Sequence, residues 1–243
     1  MKNMKLLSLN IWTGRQYRQL SEFLKKYSKE IDIFCLSEVF HNGKLPEGYH
    51  SEENMEIFSD LKKWLPNFNA YLAPLDSTEE SLAIFTKKDI VIDNIDYFFA
   101  LKQPNGNARK LGIPLQYMEF KSNGKQYTIC NFHGWWVSNS KSDTPERLEQ
   151  SKKVKEFLDN INGPKIICGD FNLAPETESI RIIDRGMRNL IKENKITSTR
   201  SHLYTKEVKF ADYMIVSSEI EVKKFEVLQD VVSDHLPLYL DFN

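Results

Sequence analysis

Several things are missing from this 243-residue sequence, and each absence narrows what the protein does. Cysteine is scarce: Cys35, Cys130 and Cys168 are odd in number, lack C-x-x-C spacing and sit inside apolar runs. They read as reduced core residues, which excludes a disulfide framework and a thiolate zinc centre. No apolar run approaches the ~18 residues a membrane helix needs. Leu6 to Leu9, followed at once by Asn10, is too short and polar for a signal peptide, so a cytoplasmic protein is expected. An excess of one charge is also missing. With 33 basic and 34 acidic residues and a net charge of −1, no global field draws the chain to nucleic acid or membrane. A polyanionic partner must be held by a local patch or a bound cation. Neither G-x-x-x-x-G-K nor G-x-G-x-x-G occurs, nor H-E-x-x-H, so nucleotide-fold phosphate loops and a dedicated zinc site are not expected. With no linker, repeat or low-complexity tract, the expectation is one domain over residues 1–243 and no obligate protein partner.

What is present is a run of short strands with helices towards both ends. Lys5 to Asn10 and Ile31 to Ser37 read as strands around a helix whose stripe is Leu20, Phe23, Leu24 and Tyr27. Met55, Phe58, Leu61 and Trp64-Leu65 mark a second helix that stops before Pro66. Strands follow at Asn69 to Ala73, Ser81 to Thr86, Ile90 to Phe99, Lys110 to Lys121 and Gln126 to Phe132, the last two joined by Asn123-Gly124. Thr144-Pro145 opens a helix with Val154, Phe157, Leu158 and Ile161 on its buried face. Lys165 to Cys168 is a buried strand, and Pro175 to Asp184 a short helix. Phe210 to Ser217, Glu221 to Val227 and Pro237 to Phe242 complete the strands. Hairpins in the middle and helical connections at the ends predict two sheets packed face to face with helices outside.

Chemistry collects where these strands end. The first strand gives Asn10, the second Glu38, the one from Gln126 gives His133, and Gly169-Asp170-Phe171-Asn172 closes the central strand. Asp212 lies within an apolar strand, and Ser233-Asp234-His235 precedes the last one. The carboxyl ends of strands are where open α/β sheets place ligands. Each residue also has an ordinary reading: Asn10, Asp170 and Asn172 suit turns, and Glu38 suits the first solvated position. His235 suits a core histidine, and His133 an aromatic cluster with Trp135-Trp136. Asp212 is the least turn-like of the set, because a carboxylate inside an apolar strand needs a partner.

Oxygen donors with two imidazoles suit Mg2+, or Mn2+, more than zinc. Magnitudes agree. A positioned general base contributes roughly 10²–10⁴-fold, while phosphate-monoester hydrolysis demands an acceleration on the order of 10²¹. Fixed charge on the phosphoryl and leaving oxygens must supply the difference.

Leu9-Asn10-Ile11-Trp12, Ser37-Glu38, Asn131-Phe132-His133, Gly169-Asp170-Phe171-Asn172, Ala211-Asp212-Tyr213 and Ser233-Asp234-His235-Leu236-Pro237-Leu238 together resemble the endonuclease/exonuclease/phosphatase superfamily. Its members include deoxyribonucleases, apurinic-site repair nucleases, inositol polyphosphate phosphatases and neutral sphingomyelinases. The resemblance implies a four-layer α/β/β/α sandwich of two packed mixed sheets flanked by helices, and Mg2+-dependent phosphoester hydrolysis. By position, Glu38 resembles the main metal ligand, with Asn10 and Asp234 beside it. Asp170 then activates the attacking water, and Asn172 holds that water and the phosphate. His235, oriented by Asp212, donates to a phosphoryl oxygen. His133 is similar to the second imidazole of the deoxyribonuclease branch, with Glu79 the candidate acid paired to it.

Two departures from that pattern stand out. Ser37 precedes the metal-binding Glu38 where many members carry Gln. The loops Lys102 to Arg109 and after His133 are short, leaving little to embrace a duplex. Arg109, Arg200 and Trp135 are candidates for substrate contact, the arginines through phosphate and the tryptophan through stacking. A solvated surface charge is the default expectation for both arginines. Arg147 is expected on the helix surface or bracing the loop before it. The expected substrate is a phosphodiester, with nucleic acid first and a small or lipid phosphoester second; a binding module on the same fold is the third reading.

Overall fold

The structure, a computed structural model, describes residues 3–43, 52–73, 80–102 and 112–243. Its strands are β1 (Met4–Asn10), β2 (Ile33–Val39), β3 (Phe68–Leu72), β4 (Ser81–Lys87), β5 (Ile92–Lys102), β6 (Gly112–Ser122), β7 (Lys125–His133), β8 (Lys165–Asp170), β9 (Arg188–Asn189), β10 (Asp212–Val216), β11 (Val222–Val227) and β12 (Leu238–Phe242). Its α-helices are α1 (Tyr17–Tyr27), α2 (Ile57–Trp64), α3 (Pro145–Asn160), α4 (Glu178–Asp184) and α5 (Leu190–Glu193). Two six-stranded mixed sheets result, ordered β11-β12-β1-β2-β4-β3 and β5-β6-β7-β8-β10-β9.

Alternation along each strand explains the layering. In β1, Leu6 joins the core between the sheets while Leu7 and Leu9 turn the other way, onto Leu20, Phe23 and Leu24 of α1 and Phe58 and Leu61 of α2. A strand buried on both faces reads as a nearly continuous apolar run, as Leu6 to Leu9 does. On the far side α3 and α4 pack together and α3 lies on β5, while α5 lies on β10. The expected sandwich is therefore present, with helices outside both sheets. Among the described residues no helix is long and apolar enough to cross a membrane.

Local chemistry sets most boundaries. Thr144 caps α3 by accepting from the Arg147 amide at 3.3 Å, with Pro145 first in the helix. Asn123 and Gly124 both have positive φ, 51° and 75°, the geometry of a tight hairpin turn. The two-residue β9 and the four-residue α5 were not expected; neither is long enough to show a period. The polar flank of α3 also departs from expectation, since Arg147, Gln150, Ser151 and Lys155 are buried beside Val154 and Leu158.

Each sheet contains a parallel pair, β1 with β2 and β7 with β8. Parallel neighbours need a crossover, supplied by α1 in one sheet and α3 in the other. The four strands of these two pairs end on or beside Asn10, Glu38, His133 and Asp170. One end of the sandwich therefore gathers the polar residues.

Candidate active site

Strand register assembles the site. His133 stands opposite Asp170 across β7 and β8, and Asp170 stands opposite Asp212 across β8 and β10. Cross-strand partners share a face. Asn131, two residues before His133, donates to Leu36 and Ala83 carbonyls of the other sheet, so this face looks into the sandwich. Asn10 comes from the opposing sheet on the same parity as Leu6.

Glu38 lies on the wrong parity for this, one residue after Ser37. A β-bulge between Ser37 and Val39, with φ of +59° at Glu38, breaks the alternation. Its carboxylate is thereby brought to Asn10 Nδ2, at 2.7 Å. Trp12, Thr13 and Asn172 also carry positive φ beside the site. Such conformations persist only where surrounding contacts enforce them, and they gather at functional sites. Glycine serves the same end at Gly169, where φ is +132° and a Cβ would lie 2.0 Å from the Phe132 carbonyl oxygen. β7 and β8 can approach this closely only with glycine there.

Asn10 bridges the two sheets, because its Nδ2 also donates to Asp170 Oδ2 at 3.1 Å. His133 Nε2 lies 3.7 Å from Asp170 Oδ2 and 3.9 Å from Glu38 Oε1. The other oxygen of Asp170 accepts from the Asn172 amide at 2.8 Å. His235 Nδ1 contacts both Asp212 oxygens at 2.9 and 2.8 Å, and its Nε2 is 3.5 Å from Asp170 Oδ2. Glu38, Asp170 and His235, distant in sequence, therefore meet in one place. The cavity they line holds about 820 Å³ and opens to solvent beside Trp12, Trp136 and Tyr204. A second chamber of about 320 Å³ lies between Trp136 to Lys141 and Tyr204 to Val208, sharing Trp136, Lys141 and Tyr204 with the first.

Arg200 overturns the surface expectation. Only 7% exposed, it donates through Nη1 to Asp234 Oδ2 at 2.8 Å and to His235 Nε2. Its loop is zipped to the Ser233-Asp234-His235 segment by Ser201 N to Asp234 O and Leu236 N to Thr199 O. Arg200 and Asp212 therefore meet the two ring nitrogens of His235, Nε2 and Nδ1. Arg200 thus stands beside His235 at this corner of the site.

The expectation for Trp135 changes and that for Arg147 narrows to one of its two readings. Trp135 is not available for stacking: it is 6% exposed, packed in the core, with its backbone held by Gln150 and Arg147. The exposed indole is its neighbour Trp136, at 51%. Alternation along an extended segment turns one of two adjacent tryptophans inward. Arg147 is fully buried and braces the loop rather than lying on the helix surface, donating to Trp135 O, Ser142 O and Ser140 O. Glu79 and Arg109 lie outside the described residues. Lys141 was missed altogether; it lines the cavity and donates to Asn172 Oδ1 at 2.5 Å. Asn172 Nδ2 is meanwhile tied to the Gly134 carbonyl at 3.1 Å.

Charge divides unevenly across this site. Glu38 is pushed well above the usual carboxylate range by burial, then by Glu80, with Asp234 and Asp170 adding and the Asn10 bond opposing. Burial also pushes Asp170 up, but His235, Lys141, His133 and Arg200 outweigh it and hold the group below the usual range. Burial raises Asp212 against the pull of His235. Glu38 thus marks carboxylates short of positive charge on one side, and hard oxygen donors in that state suit a divalent cation. Glu38, His133 and Asp170 each offer a ligand atom within 4.8 Å of the others, as do Asp170, Asp212 and His235.

Known structures share this fold over nearly all of the chain. An endonuclease/exonuclease/phosphatase family protein from Bacteroides thetaiotaomicron superposes with a TM-score of 0.76 at 19% identity, covering 99% of this chain and 95% of its own. A mannosyl-6-phosphatase from the same organism gives 0.75 at 19% identity, with 99% of each chain covered. The human Nocturnin catalytic domain with bound sulfate gives 0.71 at 19%, covering 99% of this chain and 94% of its own. At such identities these likenesses speak for the fold. No curated protein matches the sequence. A family model described as the Endonuclease/Exonuclease/phosphatase family matches residues 7–235. The chain belongs to that family of divalent-metal-dependent enzymes and is a phosphoester hydrolase.

Proposed function

We propose that the protein hydrolyses a phosphodiester with Mg2+, acting on nucleic acid. One observation carries this reading: Asn10 ties Glu38 of one sheet to Asp170 of the other, with both His133 and His235 within 4 Å of Asp170 Oδ2. Glu38, with Asn10 and Asp234 beside it, would hold the cation. When bound, that cation supplies positive charge to the phosphoryl and leaving oxygens. Asp170 would orient the water and accept its proton as the new P–O bond forms, while the P–O bond to the leaving group breaks and the leaving oxygen takes a proton from solvent. A carboxylate kept so firmly ionised is a weak base, so its value lies more in positioning than in proton affinity. Asp212 fixes the ring of His235 and stabilises it when it takes up a proton, and Arg200 supplies fixed charge at the same corner. His133 stands between Glu38 and Asp170 as the second imidazole, the feature that favours a diester of nucleic acid.

A second reading, a phosphatase or phosphodiesterase for a small or lipid phosphoester, is favoured by the net charge of −1, which offers no broad field for a duplex. The test is turnover of an activated phosphodiester, an activated monoester, and single- and double-stranded DNA and RNA, each with Mg2+, Mn2+ or EDTA. Diester and nucleic-acid cleavage abolished by EDTA is expected. Monoester cleavage without nuclease activity selects the second reading, and no turnover with either metal rejects both.

A further inference from the structure

Lys141 is a cation buried in the cavity wall. It is 8% exposed, and its one described hydrogen bond goes to the neutral amide oxygen of Asn172. Among the described residues no carboxylate lies within 4 Å of its ammonium. Three donors with a single neutral acceptor are unfavourable in a buried place. Yet the fold holds Lys141 there. Arg147 donates to the carbonyls of Ser140 and Ser142 on either side of it, and the Lys141 carbonyl accepts from Ala174 at 2.8 Å. A cation fixed by its backbone next to Asn172, on the wall shared by both chambers, is a group prepared for an anion that arrives from outside.

We propose that Lys141 binds a non-bridging oxygen of the substrate's phosphoryl group, and of a phosphate product, on the Asn172 side of Asp170. The assignment rests on the phosphoester-hydrolase reading above. Of the other cationic side chains that line the cavity, Arg200 is engaged by Asp234 and His235, Arg15 is paired with Glu53, and Lys206 lies over the Trp136 ring, whereas Lys141 is the buried ammonium beside Asn172. The charged groups that face Lys141 are Asp170 and Asp212 on one side and Arg200 and Arg147 on the other. Burial, opposed by those acids and aided by the arginines, lowers its pKa to about 8, as expected of an ammonium awaiting its partner.

The experiment has two arms. In EDTA, titration of wild type, Lys141→Met and Lys141→Arg with inorganic phosphate, followed by calorimetry, reads anion binding without metal or turnover. With Mg2+, kcat/KM on an activated phosphoester reads the reaction. Lys141→Met should weaken phosphate binding about tenfold and lower kcat/KM about 10²-fold, with a melting temperature at or above wild type. Lys141→Arg should keep part of both, and its activity should no longer decline above pH 8. Phosphate affinity within about twofold of wild type in Lys141→Met overturns the proposal, whether or not activity falls. If wild type turns over no phosphoester, the hydrolase reading fails, but the phosphate titration still decides Lys141.

Discussion

Two lysines in different regions of the molecule are buried almost equally, Lys155 on the flank of α3 at 7% exposure and Lys141 in the cavity at 8%. Lys155 pairs with Asp159 four residues on, whose side chain is half exposed. Among the described residues the Lys141 ammonium donates only to an amide oxygen. Two arginines repeat the contrast. Arg147, fully buried, donates to three backbone carbonyls. Arg200 is set among carboxylates and an imidazole, with its Nε buried and unbonded. Burial alone therefore does not distinguish a structural charge from a functional one. The partner does: the α3 flank satisfies its charges internally, while the rim where the strand pairs end leaves them incomplete, which a folding-only role would not retain.

The largest effects should come from breaking the rim. Asp170→Asn keeps the shape but removes the carboxylate, and should lower kcat by about 10²–10⁴-fold with little change in KM. Glu38→Ala should lose the metal response: the wild-type melting temperature should rise with Mg2+, because the cation binds only the folded state, and the variant's should not. Differential scanning calorimetry with and without EDTA reads this directly. An unchanged response would remove Glu38 from the metal site.

On the structural side, Arg147→Met leaves three carbonyls without their donor. Even with water replacing some of those bonds, the loss should be about 3 kcal/mol in denaturant unfolding. Activity should fall with it, because the loop that presents Lys141 is released. Lys141→Met should show the opposite pairing of low activity with undiminished stability. If the two variants behave alike, the contrast between a bracing and a receiving cation is lost.

The pH dependence of stability sharpens the same contrast. Lys141 has a folded pKa of about 8, below the ordinary 10.5. Between these values the unfolded chain binds the extra proton, so the cost of burying the charge is present below pH 8 and disappears as pH rises to 10.5. Relative to Lys141→Met in EDTA, wild type should gain about 3 kcal/mol across that window. A flat difference between the two proteins would mean the ammonium is not buried at a cost.

Much of this site was legible because strand ends carry information that turns do not. Asp170 and Asn172 follow an apolar run that stops at glycine, and Asp212 sits within one. The sheet register that makes them neighbours follows from the order of strands. Glu38 was legible as a type but not in its aim, since a bulge and a positive φ are invisible in a pattern of period two. Lys141 escaped, and Arg200 was legible as a candidate phosphate contact but not as a buried one, for a different reason. Each lies in a stretch of small polar residues with no period, and each is placed by bonds to its loop's backbone: from the nearby Arg147 side chain and the remote Ala174 amide for one, from the Ser233 to Leu236 zipper for the other. The Trp135-Trp136 pair was visible as a pair, but which indole faced outward depended on the phase of an irregular segment.

The smallest effect is the most exacting check. Lys155→Met removes a buried ammonium, as Lys141→Met does, but its partner Asp159 already reaches solvent and is not stranded when the lysine goes. The methionine stem can fill the space the lysine stem occupied. Stability by urea unfolding should stay within about 0.5 kcal/mol of wild type, and phosphate binding and kcat/KM should not move. Were Lys155→Met to weaken phosphate binding as Lys141→Met does, the effect would have to travel through net charge rather than contact. The distinction drawn from their partners would then have no functional meaning.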